Sequence, residues 1–261
     1  MQSQESSNAI RIFSMWACPY AQRTRILLDL KGISYNVVEI DLTKPRPAWF
    51  LALNPSGKVP VLEHAGHVLN ESSLINEYLD EVFPEIPALP RSPYERFVAR
   101  TLIEFCNSRF APNMYRALME QDVDRRWKLQ RQAADDWIAL EGLLVRFGAR
   151  PEHVFDQFGM VELTYAPFFE RYVLNEHYWG FDPLKQPGLS LLGRWRDAVL
   201  RHPSVKRTGM SSTDYIKLYE DYAYGYSNGK VREGRAISSF DLSVPLADRP
   251  LPARRVDSAL P

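Results

Sequence analysis

The sequence predicts an α/β domain followed by an all-helical domain, and three observations lead there. Residues 10–40 read as strand, helix, strand. The run Phe83-Pro84-Glu85-Ile86-Pro87-Ala88-Leu89-Pro90 is too rich in proline to continue a helix. Beyond it, apolar residues recur at helical spacing as far as about residue 226. The predicted boundaries are 1–86 for the α/β domain, 91–226 for the helical domain and 227–261 for an irregular extension.

Composition narrows the function before any motif is read. With 261 residues, 45% of them apolar, the chain can bury a core for one or two domains. Thirty-two basic residues balance thirty-two acidic ones, so no net field draws nucleic acid or an anionic membrane surface. Two cysteines, Cys18 and Cys106, cannot build a disulfide framework. Met1 to Ala9 is polar and lacks the apolar core of an export signal. No apolar run reaches the ~18 residues that suggest a membrane span. The expectation is a cytoplasmic protein without nucleic-acid or membrane partners.

The first strand, Ile10-Arg11-Ile12-Phe13, alternates apolar and polar residues. It runs into Met15-Trp16-Ala17-Cys18-Pro19-Tyr20-Ala21-Gln22-Arg23, where Pro19 supplies the fixed φ favoured at the first helical position and so places Cys18 at the cap. The helix then turns Arg23, Arg25 and Asp29 to water and Ile26, Leu27 and Leu30 inward, ending at Gly32. Unpaired N–H groups at a helix start favour S⁻, and such a cysteine titrates at ~3.5 to 7.5 instead of ~8.5. Cys18 is then a nucleophile; the alternative is one more buried small apolar residue.

Arg11-Ile12-Phe13-Ser14-Met15 followed by Cys18-Pro19-Tyr20-Ala21-Gln22-Arg23-Thr24-Arg25 resembles the opening of an omega-class glutathione transferase. That class has a cysteine where most glutathione transferases have tyrosine or serine. The resemblance is strong over residues 11–84 and loose over the helical part. It implies a thioredoxin-like N-terminal domain, an all-α C-terminal domain, glutathione as co-substrate and a homodimer.

Tyr35 to Ile40 reads as the second strand, and Asp41-Leu42-Thr43-Lys44-Pro45-Arg46-Pro47 as an extended loop before a short helix from Trp49 to Leu53. The turn Asn54-Pro55-Ser56-Gly57 leads into Lys58-Val59-Pro60-Val61-Leu62-Glu63. A proline removes a ladder hydrogen bond, so Pro60 marks an edge strand or bulge, or a cis bond that frees Val59 to pair with an extended peptide. The match of Asn54 to Leu62 with the family pattern favours the cis form. His64-Ala65-Gly66-His67 makes a hairpin turn with solvated histidines, followed by Val68-Leu69, and no metal site is expected.

A helix capped by Ser72 follows, with Ile75, Leu79 and Phe83 as its buried stripe. Its start favours an anion, and Glu71 can pair with an ammonium group. In the resembling family this Glu-Ser pair holds the γ-glutamyl end of glutathione. The implied tripeptide site comprises Tyr20, Val59, Pro60, Glu71, Ser72 and a cation for the glycyl carboxylate. Arg46 is first choice for that cation, with Lys44 and Lys58 as alternatives.

In the helical domain, Phe97, Thr101, Leu102 and Phe105 form one predicted core stripe, and Trp127, Ala134, Trp137, Leu140, Leu144 and Phe147 another. Cys106 has no cap or basic neighbour in sequence and reads as structural. Gly159 and Glu162 stand where the family has a Ser or Thr cap and an acid three positions on. Helix continues through Phe168, Tyr172 and Tyr178, and again through Leu192, Trp195 and Val199. His177 and His202 have no catalytic companion.

The last helix, Ser212 to Tyr226, aligns Tyr215, Tyr219, Tyr222 and Tyr226 on one face. The stripe is core packing, or else Tyr215, Tyr219 and Tyr222 line an acceptor-substrate pocket. Lys217-Leu218-Tyr219-Glu220-Asp221-Tyr222 and Glu233-Gly234-Arg235-Ala236-Ile237-Ser238-Ser239-Phe240 resemble the tail of a bacterial glutathione lyase of lignin β-aryl ether breakdown.

A protein thiolate beside glutathione favours exchange through a mixed disulfide over conjugation. The expected reaction is attack by Cys18 on the sulfur of a small aromatic glutathione conjugate, an aryl ketone or quinol thioether. A second glutathione then frees the enzyme. The alternatives are a dehydroascorbate or protein-glutathione reductase of the same class, a conjugating transferase, and a nonenzymatic relative that binds glutathione without turnover or does not bind it.

Overall fold

In the computed structural model, which describes residues 9–255, a four-stranded mixed sheet carries helices on both faces. The start of the polar N-terminal run read against export, and the end of the tail, lie outside the described residues. The first half runs β1 (Ile10–Ser14), α1 (Pro19–Leu30), β2 (Tyr35–Glu39), α2 (Ala48–Leu53), β3 (Val61–His64), β4 (His67–Asn70) and α3 (Ser72–Val82). Strand order is β2-β1-β3-β4, with β2 parallel to β1, β3 antiparallel to β1, and β3 and β4 a hairpin. In register, Ile12 sits beside Val37 on one side and Leu62 on the other. This is the thioredoxin-like arrangement expected.

An interior strand must be apolar on both faces, and β1 is. Ile10 and Ile12 pack with Ile26, Leu27, Ile75 and Leu79, while Phe13 joins Phe50, Val59 and Val61 on the opposite side. Burying each such side chain contributes about 1.5–3 kcal/mol.

The helical half comprises α4 (Pro93–Phe105), a π-helical turn (Cys106–Phe110), α5 (Ala111–Met119), α6 (Val123–Arg146), α7 (Met160–Arg171), α8 (Val173–Trp179), α9 (Ser190–Arg201), α10 (Pro203–Thr208), α11 (Ser212–Leu218) and α12 (Glu220–Ala223). Its core is built on Trp137, Tyr165, Phe169 and Trp195, all at most 1% exposed. Glu162 confirms its capping role: its carboxylate accepts from the N–H groups of Gly159 (2.9 Å) and Val154 (2.8 Å) and from Trp195 Nε1 (3.1 Å). The proline-rich connection is clamped by Asp80, which accepts from the N–H of Ala88 and Leu89 and pairs with Lys31 at 2.7 Å.

Several expectations need correction. Arg23 and Arg25 do not face water but are 1% and 9% exposed: the helical half covers Arg23, which reaches Thr164 O and Asn107, whereas Arg25 folds back onto Ser14 Oγ and Trp16 O. The α4 stripe is one residue out of phase: Val98, Ala99, Leu102 and Ile103 point inward, whereas Phe97 is exposed. Trp127 on α6 is also exposed, with the Arg131 guanidinium 3.9 Å from its ring centroid. Two expected long helices are each two short ones: the first parts at Tyr172, and the second parts at Tyr219, which adopts φ −92 and ψ 16. Ser72 is the first residue of α3 and Glu71 holds the cap position, at φ 66. His64 is buried rather than solvated, with Nδ1 2.9 Å from the Tyr78 hydroxyl.

Candidate functional site

Cys18 caps α1 with extended backbone (φ −68, ψ 122), and Pro19 occupies the first turn as the sequence indicates. The loop bearing it is held from several directions. Trp16 N–H donates to the Glu39 carboxylate at 2.7 Å, and Arg25 Nη2 to Trp16 O at 2.7 Å. Arg171 Nη2 and the Tyr219 hydroxyl both donate to Ala17 O, at 2.7 and 2.8 Å. The thiol itself is a partly exposed, weak donor to Val59 O at 3.8 Å.

Burial pushes the Cys18 thiol above its ordinary value, against the lowered value expected from its position alone. The N–H groups of Ala21 and Tyr20 pull it back, as do the guanidinium charges of Arg171 and Arg25. The helix start therefore acts on the sulfur as anticipated, but desolvation outweighs it. Cys106 is wholly buried and, contrary to expectation, does have a basic neighbour, with Arg23 Nη2 at 3.3 Å. Burial nevertheless pushes it up to about 11.

Two cavities meet at Cys18. One, of about 800 Å³, is lined by Cys18, Tyr20, Arg46, Lys58, Val59, Pro60, Glu71 and Ser72, which are all the residues expected at a tripeptide site. The Val59–Pro60 bond is cis, and Val59 lies just outside the β3 ladder. Arg46 is steadied by Gly57 O at 3.1 Å and Lys44 O at 2.6 Å, while the Lys44 ammonium is turned to Asp41 at 3.0 Å. Arg23 and Asn107 also line this cavity. They are joined by a 2.7 Å hydrogen bond, and Asn107 in turn donates to Ser73 at 3.1 Å.

The second cavity, of about 250 Å³, is walled by aromatic rings: Tyr20, Tyr115, Tyr219, Tyr222 and Phe240. Asn228 and Gly229 of the tail complete it. Tyr215 is not there. It is buried behind, its hydroxyl donating to Glu170 Oε2 at 3.1 Å, so the expected pocket trio reduces to Tyr219 and Tyr222. Tyr115 and Arg171 were missed by sequence reasoning, and nothing local in the sequence signals them; Phe240 was singled out only as the end of the resembling tail run, not as a pocket wall.

Among the described residues, no group of three or more His, Cys, Asp or Glu is placed to hold a metal ion. Likewise, no helix among them is long and apolar enough to cross a membrane.

Comparison with known proteins places this geometry in a family. Residues 17–82 match the family "Glutathione S-transferase, N-terminal domain". The chain is 33% identical over 218 residues to glutathione S-transferase omega-1 of Sus scrofa, covering 81% of this chain and 85% of that one. It is also 33% identical over 228 residues to pyrimidodiazepine synthase of Drosophila melanogaster, covering 84% and 88%. The crystal structure of glutathione transferase Omega 3C from Trametes versicolor superposes with a TM-score of 0.70 at 26% identity, over 85% of this chain and 94% of that one. The chain belongs to the omega-class-like glutathione transferases.

Proposed function

We propose that the chain is a glutathione-dependent thiol transferase acting as a thioether lyase, with Cys18 as nucleophile. The observation that carries this reading is that one sulfur borders both a polar cavity and an aromatic one. The polar cavity offers the cations Arg46 and Lys58, with Arg23 further along its wall, and the Glu71 carboxylate beside the start of α3. Glutathione presents two carboxylates and an ammonium, which is the complementary set. In this reading Glu71 and Ser72 take the γ-glutamyl end, Val59 pairs with the middle of the tripeptide and Arg46 takes the glycyl carboxylate. Tyr20 stands where the two cavities join.

The Cys18 thiolate attacks the thioether sulfur. An S–S bond forms, the C–S bond breaks with its electron pair on carbon, and that carbon takes a proton from solvent. A second glutathione, as thiolate, attacks the mixed disulfide and leaves as glutathione disulfide, restoring Cys18. Sulfur is oxidised and carbon reduced, so the net change is balanced by the two glutathiones. Carbon departs readily only when its charge is delocalised, which calls for an aryl ketone or quinol. The aromatic walls of the smaller cavity suit those substrates better than dehydroascorbate, a small polar molecule.

Within this reading we assign the chain to the lyases of lignin β-aryl ether breakdown. Its support is the tail resemblance, since Phe240 at the end of that run packs on Tyr219 and Tyr222 at ring distances of 5.0 and 5.7 Å. A homodimer is supported by exposed Leu74, Tyr94 and Phe97 on α3 and α4.

The deciding experiment is intact mass after incubation with S-phenacylglutathione. Addition of one glutathionyl group at Cys18 with release of acetophenone is expected, and both must vanish in Cys18→Ser. Full turnover by Cys18→Ser would instead mean that free glutathione attacks the thioether sulfur directly, without the protein thiol.

A further inference from the structure

The carbonyl of an aryl ketone thioether is one carbon removed from the sulfur. A group that stabilises charge on its oxygen must therefore stand beside Cys18, where the two cavities meet. Of the phenols that wall the aromatic cavity, only Tyr20 also lines the polar one. The others are engaged. The Tyr219 hydroxyl donates to Ala17 O at 2.8 Å and accepts from Arg171 Nε at 3.0 Å. The Tyr115 hydroxyl is closed off from solvent against Tyr219. Tyr222 accepts from the N–H of Asn228 at 3.2 Å and borders the aromatic cavity alone. Tyr20 is only partly buried, and its hydroxyl, which hydrogen-bonds no described residue, stays open to solvent.

The Tyr20 ring is held in place although its hydroxyl is free. Phe168 of α7 packs against it edge-on with centroids 5.6 Å apart, and the Arg23 guanidinium lies 5.1 Å from its centroid. Arg23 is itself anchored by Thr164 O at 2.9 Å and Asn107 Oδ1 at 2.7 Å, so the platform does not yield. Cys18 and the Glu71 carboxylate are both close enough to act on the phenol through their charge. Burial holds the hydroxyl protonated above the ordinary phenol range, against the pull of Arg23, so it remains a donor.

We propose that Tyr20 is a catalytic residue whose hydroxyl donates a hydrogen bond to the carbonyl oxygen of the departing group as negative charge gathers there. The proposal rests on the lyase reading above and names the polar group its acceptor must carry. When Cys18 takes the sulfur, the electron pair of the broken C–S bond passes through carbon to that oxygen as an enolate. The Tyr20 O–H meets this charge without giving up its proton, and the carbon is then protonated from solvent. A donor fixed in advance costs no rearrangement as the charge forms.

The test compares two substrates that share Cys18 and the tripeptide cavity. S-Phenacylglutathione releases an enolate, whereas bis(2-hydroxyethyl) disulfide releases a thiolate with no carbonyl. Any harm that Tyr20→Phe does to tripeptide binding falls on both, so the readout is the ratio of their kcat/KM values. That ratio is expected to shift about 10²-fold against S-phenacylglutathione, the usual effect of losing one oxyanion donor. A second measurement needs no turnover. With S-phenacylglutathione labelled with carbon-13 at the carbonyl and bound to Cys18→Ser, the carbonyl infrared band is expected at lower wavenumber than in aprotic solvent. Adding Tyr20→Phe should abolish that displacement, and adding Tyr222→Phe should leave it. An unchanged ratio, or a displacement that survives Tyr20→Phe or is lost with Tyr222→Phe, would overturn the proposal. A wild type that forms no mixed disulfide, yet whose Cys18→Ser form shows the Tyr20-dependent displacement, would sink the lyase reading and uphold Tyr20 as the donor.

Discussion

Arg171 Nη2 donates a 2.7 Å hydrogen bond to the carbonyl oxygen of Ala17, the residue before Cys18. Arg171 is fully buried at the end of α7, 154 positions along the chain. It also reaches Gln22 Oε1 and Pro167 O, at 2.7 and 2.8 Å. The helical half thereby supplies both a strut for the thiol loop and a positive charge close to the sulfur.

The titration of Cys18 should reflect this balance. Burial favours the neutral thiol, so the thiolate fraction grows only as pH climbs above the usual ~8.5. Iodoacetamide labelling of Cys18 in the wild type is expected to accelerate with pH, with a midpoint on the alkaline side of that value. Arg171→Met removes a charge that lowers the thiol, so its midpoint should move higher still. The variant should also lose about 2–4 kcal/mol of stability, as four acceptors lose their donor. A midpoint unmoved by the substitution would rule out the electrostatic role.

Gly159→Ser tests a conflict between local and tertiary reasoning. Serine is the better helix cap, and sequence alone predicts a gain. A Cβ at this position, however, would stand 2.4 Å from Ala88 O, which also accepts the Met160 N–H at 2.9 Å. We expect a loss of about 1–3 kcal/mol in urea unfolding, the range for forcing extra atoms into packed space.

Asp80→Ala should be among the most destabilising changes outside the site. It takes the countercharge from the buried Lys31 ammonium, which keeps Phe83 O and Ile86 O as acceptors, and leaves two N–H groups of the connection between the halves without theirs. Removing one partner of a buried pair costs about 3–5 kcal/mol, and calorimetry should show the drop in unfolding temperature.

Gly229→Ala addresses the tail. Gly229 has φ +72, and a Cβ there would lie 2.5 Å from Thr43 Cα, so the tail must shift from its seat on the loop after β2. Because Gly229 borders the aromatic cavity, KM for S-phenacylglutathione is expected to rise several-fold. The alkylation profile of Cys18 should be unchanged.

What could be read from the sequence was local in character. Cys18 and Pro19 announce a capped helix within two residues, Gly159 and Glu162 a helix start with its acid three positions on, and Pro60 an interrupted strand. The expected part of the polar cavity was legible because its residues sit on short motifs, whereas Arg23 and Asn107 on its wall were not. Burial of Arg23 was not, since its partner Thr164 is 141 residues away. Desolvation of Cys18 likewise comes from rings contributed by distant helices, whereas the helix-start effect is visible nearby. The phase of α4 misled because Phe97 is apolar but faces out, and apolar residues on a surface leave no mark that distinguishes them. Tyr115 has no pattern around it at all; only the folded chain brings it to the wall of the cavity beside Cys18.

The aromatic cavity draws Tyr115, Tyr219, Tyr222, Asn228, Gly229 and Phe240 from the later chain, while the nucleophile and the polar cavity come mostly from the first 72 residues. Selection can therefore rewrite which molecules are accepted by changing one set of codons, and leave the reacting atom and its tripeptide berth almost untouched. Swapping the stretch after Ser211 between relatives would be a direct route to new substrate repertoires on an unaltered chemical step.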